Sequence, residues 1–248
     1  MSVPDAPDTR NNTEVTGRVY RHNLNVRICH WISVVAFGYL VVSGVHVFLD
    51  FPELYWGKVG FRGHEAAFKL SDWGISWDEA GRMGNRKWGR NYHFLFAWIS
   101  VITGVIYVGW NLWNKHFRRN LFPGRDELTR DNLKSDLLDH VRLRAPKGEA
   151  VGRYSVLQKL SYVMLVFVLA PFMILSGLAQ MPAFTAISPE LIDLFGGRQT
   201  ARTLHVIGMM VMILFVFVHL LEVFLAGAVN GTRSMITGTL AIPKEDSE

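Results

Sequence analysis

The sequence predicts an all-α membrane protein: a bundle of four transmembrane helices with long polar loops. Three observations carry that expectation. Four apolar stretches are each long enough to cross a hydrocarbon core of roughly 30 Å. Half of the residues are hydrophobic (50%) while 19% are charged, and the charges fall almost entirely between those stretches. Two histidines, His205 and His219, stand 14 residues apart on one of the stretches, where an ionisable side chain is costly and marks function by default.

The elements follow in chain order. Residues 1–27 form a polar N-terminal arm with Arg10, Arg18, Arg21 and Arg27. The first span, about 28–49, is too long for the apolar core of a signal peptide and has no small-x-small site after it, so it is expected to be retained as a helix. The second span runs from about 92 to 113 and the third from about 160 to 180, where Pro171 predicts a kink. The fourth runs from about 204 to 226, which makes residues 28–226 the membrane domain and 227–248 a polar, loose tail. Between the spans, residues 50–91 carry Trp56, Trp73, Trp77 and Trp88, suited to an interfacial aromatic belt or a docking patch. Residues 181–203 contain Ser188-Pro189-Glu190, which reads as a helix start.

Charge sets the orientation. The arm and the 114–159 loop hold 15 Lys and Arg, against nine in the two other connections, and the cluster Lys115–Arg119 directly follows the second span. The positive-inside rule therefore puts both termini and the 114–159 loop in the cytoplasm, in a bacterial inner membrane, with the basic loop against anionic lipid. The net charge of +5 reflects that loop. It does not point to nucleic acid, since no basic run is interleaved with aromatics in a soluble module.

Four histidines lie inside or at the mouths of spans: His30, His93, His205 and His219. At about 100° and 1.5 Å per residue, His205 and His219 project within about 40° of each other and lie about 21 Å apart along the axis. That ladder suits two stacked b-type haems. The single cysteine, Cys29, excludes thioether attachment, so haem would be held by side-chain ligands alone. With the N-terminus inside, depth allows His30 to pair with His219 near the cytoplasm and His93 with His205 near the periplasm. Iron between two imidazoles suits electron transfer rather than oxygen binding. A metal transporter would add Asp or Glu to the spans, and the only such acid is Glu222. Gly38, Gly44, Gly104, Gly177 and Gly208 leave room for helices or a macrocycle to approach. Arg27, Arg90 and Arg202 are candidate partners for haem propionates.

The stretch Arg27-Ile28-Cys29-His30-Trp31, followed by Ser43-Gly44, resembles the bacterial di-haem cytochrome b family. This family includes the membrane subunits of nickel-iron hydrogenases, formate dehydrogenases and thiosulfate reductases. Phe51-Pro52-Glu53-Leu54-Tyr55-Trp56-Gly57 is similar to the branch found beside molybdopterin oxidoreductases of the sulfite-oxidase type. The resemblance covers roughly residues 18–230 and implies the same four ligands, a periplasmic redox partner, and menaquinone or ubiquinone beside the cytoplasmic-side haem. For the quinone, the cytoplasmic end offers Tyr154, Ser155, Gln158 and Lys159 at the entry to the third span, Asn25 and Arg27 before the first, and Glu222, with Ser155 standing where the family often has Asn. His22, His64, His116 and His140 read as surface groups, and His46 faces away from the His30 side of its helix.

The expected function is electron transfer between a periplasmic partner and the quinone pool, with substrate chemistry belonging to the partner. A stand-alone quinone reductase fed by a small diffusible donor is the first alternative, and a haem-free anchor or metal transporter is the second.

Overall fold

The structure is a computed structural model that describes residues 15–61, 63–114, 122–124, 126–142 and 155–243. The cluster Lys115–Arg119 with His116, Tyr154, and the outer parts of the arm and tail lie outside those residues.

Four helices are long and apolar enough to cross a membrane. The first is α1, Leu24–Leu49, capped by Asn23, whose side chain accepts from the Val26 N–H at 2.9 Å. After β2 (Glu53–Leu54), β3 (Phe68–Lys69) and α2 (Trp77–Met83) comes α3, Arg86–Trp113, capped by Asn85. The third crossing is composite: α5 (Val156–Met164), a π-helical turn (Leu165–Leu169) and α6 (Ala170–Leu178). Pro171 has no N–H to give, and the wider turn just before it resets the hydrogen-bond ladder. The fourth is α9, Arg198–Leu225. Each helix begins four to six residues before its apolar stretch does. Hydropathy marks the part that lies in lipid, whereas the helix itself continues into polar caps.

The helices pack as two close pairs. Between α1 and α3, a Cβ on Gly89 would stand 2.9 Å from the His46 Cβ and 3.0 Å from the Ser43 carbonyl. Between α6 and α9, a Cβ on Gly208 would stand 2.5 Å from the Met173 sulfur. Gly38 and Gly104, by contrast, have no neighbour within 4 Å and take no part in helix contact.

The loop after α1 is folded. Phe51, Phe61 and Trp77 stack edgewise around the buried Tyr55, with Phe61 in a left-handed backbone conformation at φ 74°. The four tryptophans do not act alike. Trp77 joins this small core and Trp88 packs on His46, while Trp73 is 76% exposed and Trp56 is 55% exposed.

This loop grips the start of α9. The Gly57 carbonyl accepts from the N–H groups of Gln199 (3.1 Å) and Thr200 (3.2 Å), capping two of the donors that every helix N-terminus leaves open. The Gly57 N–H donates to the Thr200 hydroxyl at 2.6 Å, and the Thr203 hydroxyl donates to the Tyr55 carbonyl at 2.7 Å. Gly197 makes the approach feasible, because at φ 126° it adopts a conformation closed to other residues, and a Cβ there would lie 2.3 Å from the Gly57 oxygen. Gly197→Ala is therefore expected to cost at least about 1–3 kcal/mol from backbone strain alone. The check is a detergent thermal melt, in which Gly196→Ala, at a site with no neighbour within 4 Å, loses less.

The tail is not loose as far as Pro243. After α7 (Pro182–Thr185) and α8 (Glu190–Leu194), which follows the predicted helix start, and after α9, the chain forms α10 (Ala228–Thr237) and β4 (Thr239–Pro243). Strand β4 pairs antiparallel with β1 (Val15–Tyr20) from the N-terminal arm. Asn230 ties helix to strand through both the N–H and the C=O of Ala241, and the Trp31 indole N–H donates to the Met235 carbonyl at 3.2 Å. His22, read as a surface group, is half-buried against this ribbon, where its N–H donates to the Gly238 carbonyl.

Candidate functional site

The two helix pairs face each other through histidine. His30 of α1 lies beside His219 of α9 with ring centroids 6.5 Å apart, and His93 of α3 lies beside His205 of α9 at 6.1 Å. Each couple thus joins one helix of the first pair to α9. Two metal–imidazole bonds of about 2 Å, plus about 1.1 Å from each nitrogen to its ring centre, place the ligands of one iron with centroids about 6 Å apart. Both couples fit that spacing.

The His93 and His205 rings are held the same way. Ser43 and Ser176, both fully buried, lie 3.1 Å from the His93 Nδ1 and 2.9 Å from the His205 Nδ1. Each hydroxyl donates its own proton to a main-chain carbonyl, Tyr39 for Ser43 and Met173 for Ser176. The hydroxyl oxygens are then acceptors, Nδ1–H donates in both rings, and Nε2 is left as the lone-pair nitrogen that a metal needs. The glycine after each serine completes the seat. A Cβ on Gly44 or Gly177 would come within 3.4 Å of the Cε1 of His93 or His205 respectively. Two Ser-Gly dipeptides on different spans therefore perform one task. The sequence contained this signal, but only the first dipeptide was weighed. Among the described residues, the rings of His30 and His219 make no such hydrogen bond; His219 stacks on Phe215, with centroids 6.2 Å apart.

The three arginines separate. Arg202 is committed to the loop: its guanidinium donates to the carbonyls of Glu53 and Phe51 and lies 4.9 Å above the Phe51 ring. Its neighbour Tyr55 donates to Glu53, and burial, then Glu53, push that phenol above its ordinary pKa, so it stays neutral. Arg90 is exposed. Arg27, three residues before His30, has a buried Nε with no hydrogen-bond partner among the described residues, an arrangement that suits an anionic group.

At the His30 end, Ser155 and Gln158 form a reciprocal capping box at the start of α5: the Ser155 hydroxyl accepts the Gln158 N–H and the Gln158 Oε1 accepts the Ser155 N–H, each at 3.2 Å. The Gln158 amide still reaches the Glu222 Oε2 at 3.4 Å. His140, read as solvated, lies instead on a helix, α4 (Arg130–Val141), and is half-buried, with Nε2 3.2 Å from the Glu222 Oε1. Lys159 pairs with Glu127 at 2.7 Å. This ammonium, foremost, holds the Glu127 carboxyl below its ordinary 4.5. A depressed carboxyl stabilises the fold above its ordinary pKa and loses that contribution as pH falls through the folded value. Wild type should therefore lose its thermal-stability advantage over Lys159→Met below about pH 4.5, with equal melting temperatures in acid as the checking observation.

A four-span bundle that presents imidazoles in couples inside the membrane defines a b-type cytochrome. The chain belongs to the prokaryotic cytochrome b561 family, whose model matches residues 21–238. It is a multi-pass membrane protein and an electron-transfer cytochrome, and the family implies haem b as its cofactor. The chain is also similar to the "Putative protein-methionine-sulfoxide reductase subunit YedZ1" of Azospira oryzae, 29% identical over 202 residues that cover 81% of this chain and 88% of that protein. No solved structure matches the chain.

Proposed function

We propose that this cytochrome carries electrons between the quinone pool and a periplasmic oxidoreductase of the molybdopterin type, through two haems b. His30 and His219 would hold one haem near the cytoplasmic face, and His93 and His205 the other near the periplasmic face. The observation that carries this reading is the pair of ring separations, 6.5 and 6.1 Å, each fitted to one iron. Bound haem supplies reversible one-electron exchange. The protein's own residues do the rest. Ser43 and Ser176 orient two imidazoles, Arg27 offers charge to a propionate, and the apolar spans exclude water. The quinone would lie at the cytoplasmic end, where Gln158 and Glu222 supply hydrogen-bonding groups. Ser155, fixed as a helix cap, positions Gln158 rather than the quinone.

The partner reading draws on the likeness to a reductase subunit and on the 50–91 loop, folded outside the bundle with Trp56 and Trp73 outward. A stand-alone reductase would have no need of that loop. Both termini would be cytoplasmic, by the excess of Lys and Arg on their side.

The test is a dithionite-reduced minus oxidised spectrum with pyridine haemochrome quantitation. About two haems per chain supports the reading; one would remove a histidine couple from it, and none would leave only a scaffold.

A further inference from the structure

At the His30 end, one imidazole sits between two carboxylates. His140 Nδ1 faces the Asp136 carbonyl at 2.7 Å and the Asp136 carboxylate at 3.3 Å. Both are acceptors, so Nδ1 carries a hydrogen in every state of the ring. The other nitrogen, Nε2, 3.2 Å from the Glu222 Oε1, is therefore the one that gains and loses a proton. One proton can rest on either side of that contact, as imidazolium with carboxylate or as imidazole with carboxylic acid.

The surroundings fix this pair in place. Asp136 cannot swing away, because its Oδ2 accepts the Leu157 N–H at 2.8 Å in the first turn of α5. The side chains of His140 and Glu222 are 26% and 25% exposed, open enough to exchange protons with water. Glu222 stands three residues past His219, one turn along the same helix. Among the described residues, Asp136 and Glu222 face the His140 ring; its own helix also carries Arg130, Asp131, Lys134 and Asp139, with Arg142 at its C-cap, α5 carries Lys159 (paired with Glu127) and Tyr162, and α9 carries His219 and Glu222.

We infer that His140 and Glu222 are the proton-transfer pair for the quinone, an inference that rests on the quinone reading above. Oxidation of a quinol releases two electrons and two protons; the haem held by the histidine couples would take the electrons one at a time, each passed on to the redox partner. The quinol's two O–H bonds break, and each proton passes to the Glu222 carboxylate, then to His140 Nε2, then to water. Quinone reduction runs the same path in reverse, two protons in for two electrons. Histidine suits the task because one imidazole nitrogen can hold a fixed hydrogen bond while the other accepts a proton and passes it on.

The experiment is stopped-flow haem reduction by decylubiquinol or menadiol in the purified holoprotein, wild type against His140→Gln and Glu222→Gln, from pH 5.5 to 8.5. Both variants should keep the wild-type dithionite-reduced spectrum, and His140→Gln should quench the fluorescence of a hydroxyquinoline N-oxide with unchanged affinity. Quinol-driven reduction should fall at least tenfold in both, with little change in KM for His140→Gln; the pH dependence of the rate between pH 5.5 and 8.5 should flatten, and free imidazole should restore part of the rate in His140→Gln. A His140→Gln rate and pH profile equal to wild type would overturn the relay while leaving the quinone reading intact. Wild-type haem that no quinol reduces would overturn both. Loss of haem or of N-oxide binding in His140→Gln would make that histidine structural and overturn the relay alone.

Discussion

Replacing His205 by alanine is expected to remove one haem and leave the other. The two couples share no histidine, and 14 residues of helix separate their α9 members by about 21 Å. Haem per chain, by pyridine haemochrome on protein that elutes as a single species in detergent, should fall to about half. His93→Ala should give the same value, and combining the two should cost nothing more, since both take away one iron. His205→Ala with His219→Ala should leave none. A folded His205→Ala protein that keeps both haems, or loses both, would break the pairing.

Ser43→Ala and Ser176→Ala should each raise the midpoint potential of one haem only. An imidazole that donates a firm Nδ1 hydrogen bond is a stronger electron donor through Nε2 and favours ferric iron. Alanine takes away the hydroxyl acceptor and leaves each ring only its main-chain carbonyl, Leu40 for His93 and Met173 for His205. A tenfold change in the one-electron equilibrium corresponds to about 59 mV, the size that an optical redox titration would resolve. The haem of the other couple, whose imidazoles lack serine partners among the described residues, should not move. Equal shifts in both haems, or none, would show that the serines merely fill space.

The spans and their histidines were legible because lipid imposes a simple rule: about twenty apolar residues, and no ionisable group without a reason. What escaped notice depends on contacts between distant parts of the chain. Strand β1 meets β4 across more than two hundred residues, so neither segment advertises its partner. Helix α4 is mostly polar, and nothing in its local pattern reveals that His140 meets a glutamate of another helix. Arg202 was read by charge as a partner for an anion; its actual partners are main-chain carbonyls, which a sequence does not display. The Phe51–Gly57 motif was visible as a resemblance, while its mechanical role as the cap of α9 required the fold.

The β1–β4 ribbon imposes a parity rule. Two strands hydrogen-bonded to each other must lie on one side of the bilayer, so the chain between them crosses it an even number of times. Reporters fused to the two ends must therefore give the same compartment, whichever it is. A variant that loses a single crossing cannot keep the ribbon closed, and the last-made strand can find its mate only once every helix has been threaded. Closure of that ribbon is then a built-in signal that insertion is complete.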